Sequence, residues 1–173
     1  MKEIRKARSK ILTPREAARA VQAAKSRGEK VVFTSGCFDL LHLGHLRSLE
    51  EARSYGDRLV VAVNSDASVR RIKGPSRPII PIRQRAELLA ALECVDWVTS
   101  FGGRTPRAII GALGPDVYAK GGEWPLALLL EQDLPPGWNG EVRRLRQIPG
   151  VRTTAIVERM LQKSEHSMRR PRR

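Results

Sequence analysis

Cysteine is scarce in this chain of 173 residues: Cys37 and Cys94 are the only two, and no CxxC pair occurs. That excludes a disulfide-stapled scaffold and a zinc ribbon, and both thiols are expected to be reduced. Aromatic residues amount to 5%, few for a surface that stacks bases, and no recognisable RNA-binding motif is present, so nucleic acid is not an expected partner. No apolar run approaches the roughly 20 residues of a membrane-spanning helix, so a membrane is not expected either. The opening "MKEIRKARSKIL" has charge but no apolar h-region; a secretory signal is not indicated, and a cytoplasmic location is the expectation. Acidic residues are also short, 18 against 32 lysines and arginines, which leaves a formal charge of +14. An anionic partner follows from that balance. Much of the excess sits at the ends, in Lys2, Arg5, Lys6, Arg8 and Lys10, and in Lys163, Arg169, Arg170, Arg172 and Arg173.

The length suits one domain with a substantial core. The expected division is a basic N-terminal extension over 1–12, a domain over 13–162, and a basic, disordered tail over 163–173. Within the domain, strand-like and helix-like blocks alternate. "TPRE" at Thr13 to Glu16 is a capping box with proline at the first helical position, and Gly28 would end that helix. "KVVFTS", "RLVVAVN", Asp96 to Phe101, "DVYAK" and "EVRRLRQI" read as strands. Helices are expected over Leu43 to Tyr55, over Asp66 to Arg71 with Ser65 as cap, over Arg83 to Leu92, after Thr105 as cap, in "PLALLLEQ", and over Thr153 to Lys163. "KGPSRPIIP" reads as an irregular loop. Strands separated by helices need crossover connections, so the expected fold is α/β, a Rossmann-like parallel sheet with helices on both faces. In such sheets ligands bind beyond the carboxyl ends of the strands.

The stretch that carries chemistry is "FTSGCFDLLHLGHLRSLEEA", Phe33 to Ala52. Gly36 leaves the first strand where the chain must turn, and Gly44 at the helix start permits close approach of a ligand. His42 and His45, three apart, fall on one side of the helical turn. The helix N-terminus adds unpaired N–H groups and the positive end of the dipole, and the whole suits a polyphosphate. Taken alone, the pair fits an ordinary surface turn capped by a histidine better than a ligand site; its context decides otherwise. Zinc held by Cys37, His42 and His45 lacks an apparent fourth ligand, so no metal-ligating residue is expected. Trp97 reads as core, Trp124 as either a stacking residue or a cover for an apolar edge, and Asn64 and Asp66 as helix caps.

"GCFDLLHLGH" resembles the G-x-F-D-x-x-H-x-G-H signature of the cytidylyltransferase-like nucleotidyltransferases, relatives of the class I aminoacyl-tRNA synthetases. The likeness continues through "DRLVVAVNSDASVRRIKGPSRPIIPIRQRAELLAALECVDWVTSF", "KGGEW" and a late "TT". There the chain resembles the adenylyltransferase branch that forms ADP-heptose from heptose 1-phosphate. The resemblance implies that Gly36, Cys37 and Phe38 line the nucleotide and that Asp39 shapes the turn. It implies that His42 and His45 hold the phosphates at the reacting centre, with Gly44 between them. Lys73 would contact the α-phosphate or the sugar phosphate, and Arg85, which matches the arginine of the family's "QR" helix, would join His42, His45 and Lys73 as the catalytic set that stabilises charge there. Lys120, Gly121 and Gly122 would border the nucleotide, and Thr153 and Thr154 would bind the outer phosphates. Two positions depart from the pattern: Arg152 stands where the family has serine, and Gln147 where cytidylyltransferases have arginine. Arginine binds phosphate well, so Arg152 can compensate.

The implied partners are ATP and a sugar phosphate, the implied cofactor is Mg²⁺ carried with ATP, and relatives are commonly homodimers. A phosphate monoester, with a second pKa of about 6, is already largely ionised at neutral pH and needs no general base. What such a reaction requires is the positioning of two anions and stabilisation of charge at the α-phosphoryl group. Two other readings stay open on the residues: a cytidylyltransferase acting on glycerol 3-phosphate or a related alcohol phosphate, and a non-catalytic basic nucleic-acid-binding module.

Overall fold

The computed structural model describes residues 6–122 and 125–168. Five strands, β1 (Val31–Gly36), β2 (Arg58–Asn64), β3 (Trp97–Phe101), β4 (Val117–Gly121) and β5 (Glu141–Leu145), form one parallel sheet in the order β3-β2-β1-β4-β5. Helices α1 (Pro14–Ser26), α2 (Leu43–Arg53), α3 (Asp66–Lys73), α4 (Ile82–Ala91), α5 (Arg107–Leu113), α6 (Leu126–Gln132) and α7 (Thr153–Met168) connect or follow the strands. This is the expected Rossmann-like architecture.

Strand side chains alternate between two faces, and here both faces are covered, which is why the strands are apolar at nearly every position rather than at every second one. Val32, Leu59, Val61, Val63, Val98, Val117 and Ala119 pack against Leu49 and Ala52 of α2 and Ala86, Leu89 and Ala90 of α4. The alternate set, Val31, Phe33, Val60, Ala62, Trp97 and Tyr118, packs against Ala17, Val21 and Ala24 of α1 and Ile109, Ile110 and Leu113 of α5. Trp97 therefore lies in the core, as expected. Gly56 sits where α2 returns to the sheet, and a Cβ there would come within 2.6 Å of the Lys30 carbonyl oxygen. No larger residue fits without moving backbone.

Local signals read from the sequence operate as physics requires. Thr13 Oγ1 accepts from Glu16 N–H at 3.3 Å while the Glu16 carboxylate accepts from Thr13 N–H at 2.8 Å, the reciprocal capping box. Ser65 Oγ caps α3 through Ser68 N–H at 3.2 Å. Thr105 does not cap α5: Pro106 occupies that position and no side chain caps the helix.

Both domain limits shift. Residues Ala7–Lys10 form a 3₁₀ turn, Ile11 bridges β3 at Val98, and Leu12 N–H donates to Val98 O at 2.8 Å. Lys10 Nζ donates to Leu92 O at 3.0 Å and Val95 O at 2.8 Å. This segment is thus part of the domain, adding an edge contact to β3, and Lys10 is a structural donor rather than a solvated tail charge. At the other end α7 continues through residues 163–168, which were expected to be disordered tail. The rest of the basic termini and Trp124 lie outside the described residues.

Candidate active site

The strand order reverses between β1 and β4, because successive strands run outward on one side from β1 and on the other from β4. Loops leaving the two neighbours diverge there and leave a crevice at their carboxyl ends. The residues singled out in the sequence converge on it: Gly36 to His45 from β1, and Lys120 to Gly122 from β4. Electrostatics report the same convergence. Burial pushes the Cys37 thiol pKa up, while Lys73, Arg85 and Lys120 all pull it down as positive neighbours and Asp39 pushes it up.

The turn after β1 is made by Phe38, whose φ of 47° is left-handed, and not by Gly36. A side chain on Gly36 would instead meet the Phe38 ring, 3.1 Å from the added Cβ. A residue held at such a φ is uncommon outside glycine and needs its surroundings to enforce it. Phe38 is buried under α2 and lies 5.2 Å, centroid to centroid, from His45.

His42 is the N-cap of α2: its Nδ1 accepts from His45 N–H at 3.3 Å. The capping role and the phosphate-facing role are therefore compatible, since accepting at Nδ1 places the proton of the neutral ring on Nε2, leaving a donor at the far edge. The His42 and His45 rings stack at 3.8 Å with planes 17° apart. Gly44 has its reason here, for a Cβ would lie 3.1 Å from the His42 ring and 3.3 Å from Val151 O. Desolvation lowers both imidazole pKa values; for His45, burial and then the neighbouring His42 push it down to about 4, while the Leu40 backbone acts upward. The pair is neutral at pH 7.

A sign follows for stability. His45 in the unfolded chain titrates near 6.5, so between pH 6.5 and 4 the unfolded state binds more protons than the folded one and stability falls as pH falls. The shift from 6.5 to about 4 bounds the loss at about 3 kcal/mol. His45→Asn removes this slope, and urea midpoints taken from pH 7 to 4.5 for both proteins check it. Equal slopes would show that His45 is not desolvated.

Arg85 is the main correction to the expected site. It is fully buried, at 0% exposure, and its guanidinium donates to Ile80 O at 2.8 Å, Asn64 O at 2.9 Å, Asp66 Oδ1 at 2.6 Å and the Cys37 carbonyl. A group enclosed on all sides by its own chain does not touch a phosphate. Its action is through backbone: one fork fixes the exits of β1 and β2, the start of α3 and the end of the proline-rich loop. Asn64 and Asp66, expected as caps, are partners in that knot, and Asp66 also accepts from Ile82 N–H at 2.9 Å.

Asp39 acts farther away than the turn it sits in. Its carboxylate accepts from Ile79 N–H at 2.7 Å, Ile80 N–H at 3.0 Å and Arg77 Nη1 at 2.8 Å, and these donors hold its pKa down against the desolvation that raises it. The loop after Lys73 is thereby latched to the β1 exit. Lys73 itself closes α3, ahead of Gly74 at φ 97°, and is exposed. Nothing local in the sequence marked Arg77 as the partner of Asp39, 38 residues away.

On the other side of the crevice Lys120 is half-buried, Gly121 has open space where a Cβ would be, and Gly122 has φ of 114°, which only glycine adopts without strain. Helix α7 begins at Thr153, and Arg152 O accepts from Ile156 N–H at 3.2 Å, so Arg152 stands just before the first turn with its side chain exposed. Gln147 lies with Arg47, Glu51, Tyr55 and Arg146 along a cleft of about 590 Å³ beside α2. Among the described residues no three His, Cys, Asp or Glu side chains are grouped to hold a metal, Cys37, His42 and His45 included. No helix among them is long and apolar enough to cross a membrane.

The cytidylyltransferase-like family profile matches residues 33–168. Over 150 residues, 87% of this chain, the sequence is 50% identical to the bifunctional protein HldE of Alkalilimnicola ehrlichii, of which the match covers 31%. The chain thus spans about a third of the length of the curated relatives it matches. A lipopolysaccharide core biosynthesis protein from Thermoplasma volcanium superposes with a TM-score of 0.62 at 30% identity, over 70% of this chain and 99% of that one. Pantoate-β-alanine ligase from Francisella tularensis, at 14% identity, shares the fold with a TM-score of 0.57 over 86% of this chain and 72% of its own. With the signature histidines stacked at the mouth of the β1/β4 crevice and the family profile extending from β1 to the end of α7, the chain belongs to the cytidylyltransferase-like family of nucleotidyltransferases.

Proposed function

We propose that this chain transfers an adenylyl group from ATP to a sugar 1-phosphate, D-glycero-β-D-manno-heptose 1-phosphate, giving ADP-heptose and pyrophosphate for lipopolysaccharide or other surface glycan synthesis. The observation that carries the reading is the neutral, stacked His42–His45 pair at the N-terminus of α2, at the end of a crevice where Lys73 and Lys120 both act on the Cys37 thiol. Half-identity to a bifunctional HldE and the likeness to a lipopolysaccharide core biosynthesis protein support the choice of sugar and nucleotide. The enzyme is proposed to act in the cytoplasm as a homodimer.

In this reaction a phosphate oxygen of the sugar attacks the α-phosphorus of ATP, and the bond from that phosphorus to the bridging oxygen of pyrophosphate breaks. The attacking monoester, with its second pKa of about 6, is already ionised. The chain's task is to align two anions and to place donors where charge grows. His42 and His45 offer N–H groups to the α-phosphoryl oxygens and the leaving group. Lys73 brings the sugar phosphate in, Gly36, Cys37, Phe38 and Lys120 to Gly122 border the nucleotide, and Arg152, Thr153 and Thr154 meet the outer phosphates. Asp39 and Arg85 keep these loops in place. The donor set, rich in nitrogen and without grouped carboxylates among the described residues, fits a Mg²⁺ that would ride on the triphosphate and neutralise part of its charge.

Pyrophosphate release with Mg²⁺, offering ATP and CTP in turn against heptose 1-phosphate and glycerol 3-phosphate, tests the proposal. Release with ATP and the heptose alone is the expected result. Release with CTP and glycerol 3-phosphate would replace it with the cytidylyl reading. Folded protein inactive with every pair would overturn it, and RNA binding that collapses with added salt would then favour the basic module.

A further inference from the structure

Asp133 closes α6, its N–H donating to Leu129 O at 3.0 Å, and its carboxylate is buried. Asp133 Oδ2 accepts from the Tyr118 hydroxyl at 2.6 Å and faces Lys120 Nζ at 3.4 Å. Tyr118 and Lys120 are two apart on β4, so the strand's alternation sends both side chains to the same face. Tyr118 is fully buried, its ring 5.8 Å from that of Phe33 on β1. The Lys120 ammonium lies 5.7 Å from the centre of the Tyr118 ring, and its side chain is 18% exposed, against 10% for Asp133.

A carboxylate this enclosed needs donors and a counter-charge. Tyr118, locked by core packing, supplies a donor that sets the orientation of the carboxylate, and Lys120 supplies the charge. The dependence also runs outward. A lysine ammonium sits on four rotatable bonds and is a mobile point charge unless something holds it; here an immobile anion holds it, with the ring as a second contact, and N–H donors remain for the crevice. The Lys120 head is thereby prepaid in orientation before a ligand arrives.

We propose that Asp133 is a positioning residue for nucleotidyl transfer, holding the Lys120 ammonium at the exit of β4, where a bound nucleotide's anionic groups meet it. The proposal rests on the reading of the β1/β4 crevice as the ATP site. Asp133→Asn keeps an oxygen for the Tyr118 hydroxyl and removes only the charge. The freed lysine then attracts ATP at least as strongly as before but is out of place during transfer.

The test is a double-mutant cycle in the pyrophosphate-release assay with ATP and heptose 1-phosphate, combined with side-chain NMR of ¹⁵N-lysine-labelled protein. Asp133→Asn is expected to lower kcat roughly 10- to 100-fold, the range for a misplaced group, with KM for ATP unchanged or lower. In a Lys120→Ala background the same substitution should cause no further loss. Tyr118→Phe, which frees the carboxylate, should lower kcat less and likewise lose its effect without Lys120. The free protein should show a restrained Lys120 ammonium that becomes mobile in Asp133→Asn. A full additional loss in the Lys120→Ala background, a raised KM with kcat unchanged, or an ammonium already mobile in the parent protein would overturn the proposal. Failure of the functional reading looks different: a restrained ammonium in a protein that releases pyrophosphate with no substrate pair. A neutral Lys120→Ala beside a crippling His45→Asn would remove Lys120 from the site, and Asp133 with it.

Discussion

His45→Asn lowers kcat for pyrophosphate release by roughly 10²- to 10³-fold, the loss typical of removing one preorganised donor at a developing charge. Thermal stability at pH 7.5 stays close to that of the parent protein. The separation is expected because the ring is neutral there, its ring contacts are a stacked partner at 3.8 Å and Phe38 at 5.2 Å, and Phe38 keeps its own packing in the core. His42→Asn gives a similar rate loss but retains the cap, since asparagine accepts the N-terminal N–H as well as any residue. Steady-state kinetics with paired melting curves check both. A folded His45→Asn with parental kcat would remove the imidazole pair from the phosphate chemistry and leave it as a helix start only.

Arg85→Met destabilises the fold by about 3–5 kcal/mol, because the lost guanidinium leaves three carbonyls without their donor and the part-buried Asp66 carboxylate without its cation. For a domain of this size that corresponds to a fall in Tm on the order of 10 °C. Arg85→Lys is not a rescue. An ammonium on a flexible stem offers three donors and cannot span four acceptors arranged around a planar fork. Urea unfolding and calorimetry of the two variants measure the effect, and the weakened Cys37 loop should raise KM for ATP in whatever fraction folds. A variant with parental stability and lost catalysis would restore Arg85 to direct phosphate contact and overturn the structural role.

The two substitutions sit at opposite ends of what could be read in advance. The histidine pair was legible because its signal is local: two side chains three apart at a helix start, a glycine between them, and a strand just before. Arg85 was visible as a residue of the family's pattern but not as a buried knot, since its four acceptors come from positions 37, 64, 66 and 80. The Asp39 latch failed to show for the same reason. Two of its partners are backbone N–H groups, which every residue but proline has and no sequence advertises, and the third is the side chain of Arg77, 38 residues away. Asp133 lies in "EQDLPPG", where an acidic residue before a proline loop looks like an ordinary helix end.

What the sequence determined by itself was the succession of elements and the end of the sheet to which the signature stretch belongs. Periodicity, caps and glycine stops act over a few residues, and alternating strands and helices leave few ways to bury their apolar faces. Tertiary structure alone decided which charges find partners within the chain and which stay exposed. Lys10, Asp66 and Arg85 have internal partners, while Lys73 and Arg152 remain exposed, because burial and hydrogen bonding depend on segments that only folding brings within 3 Å.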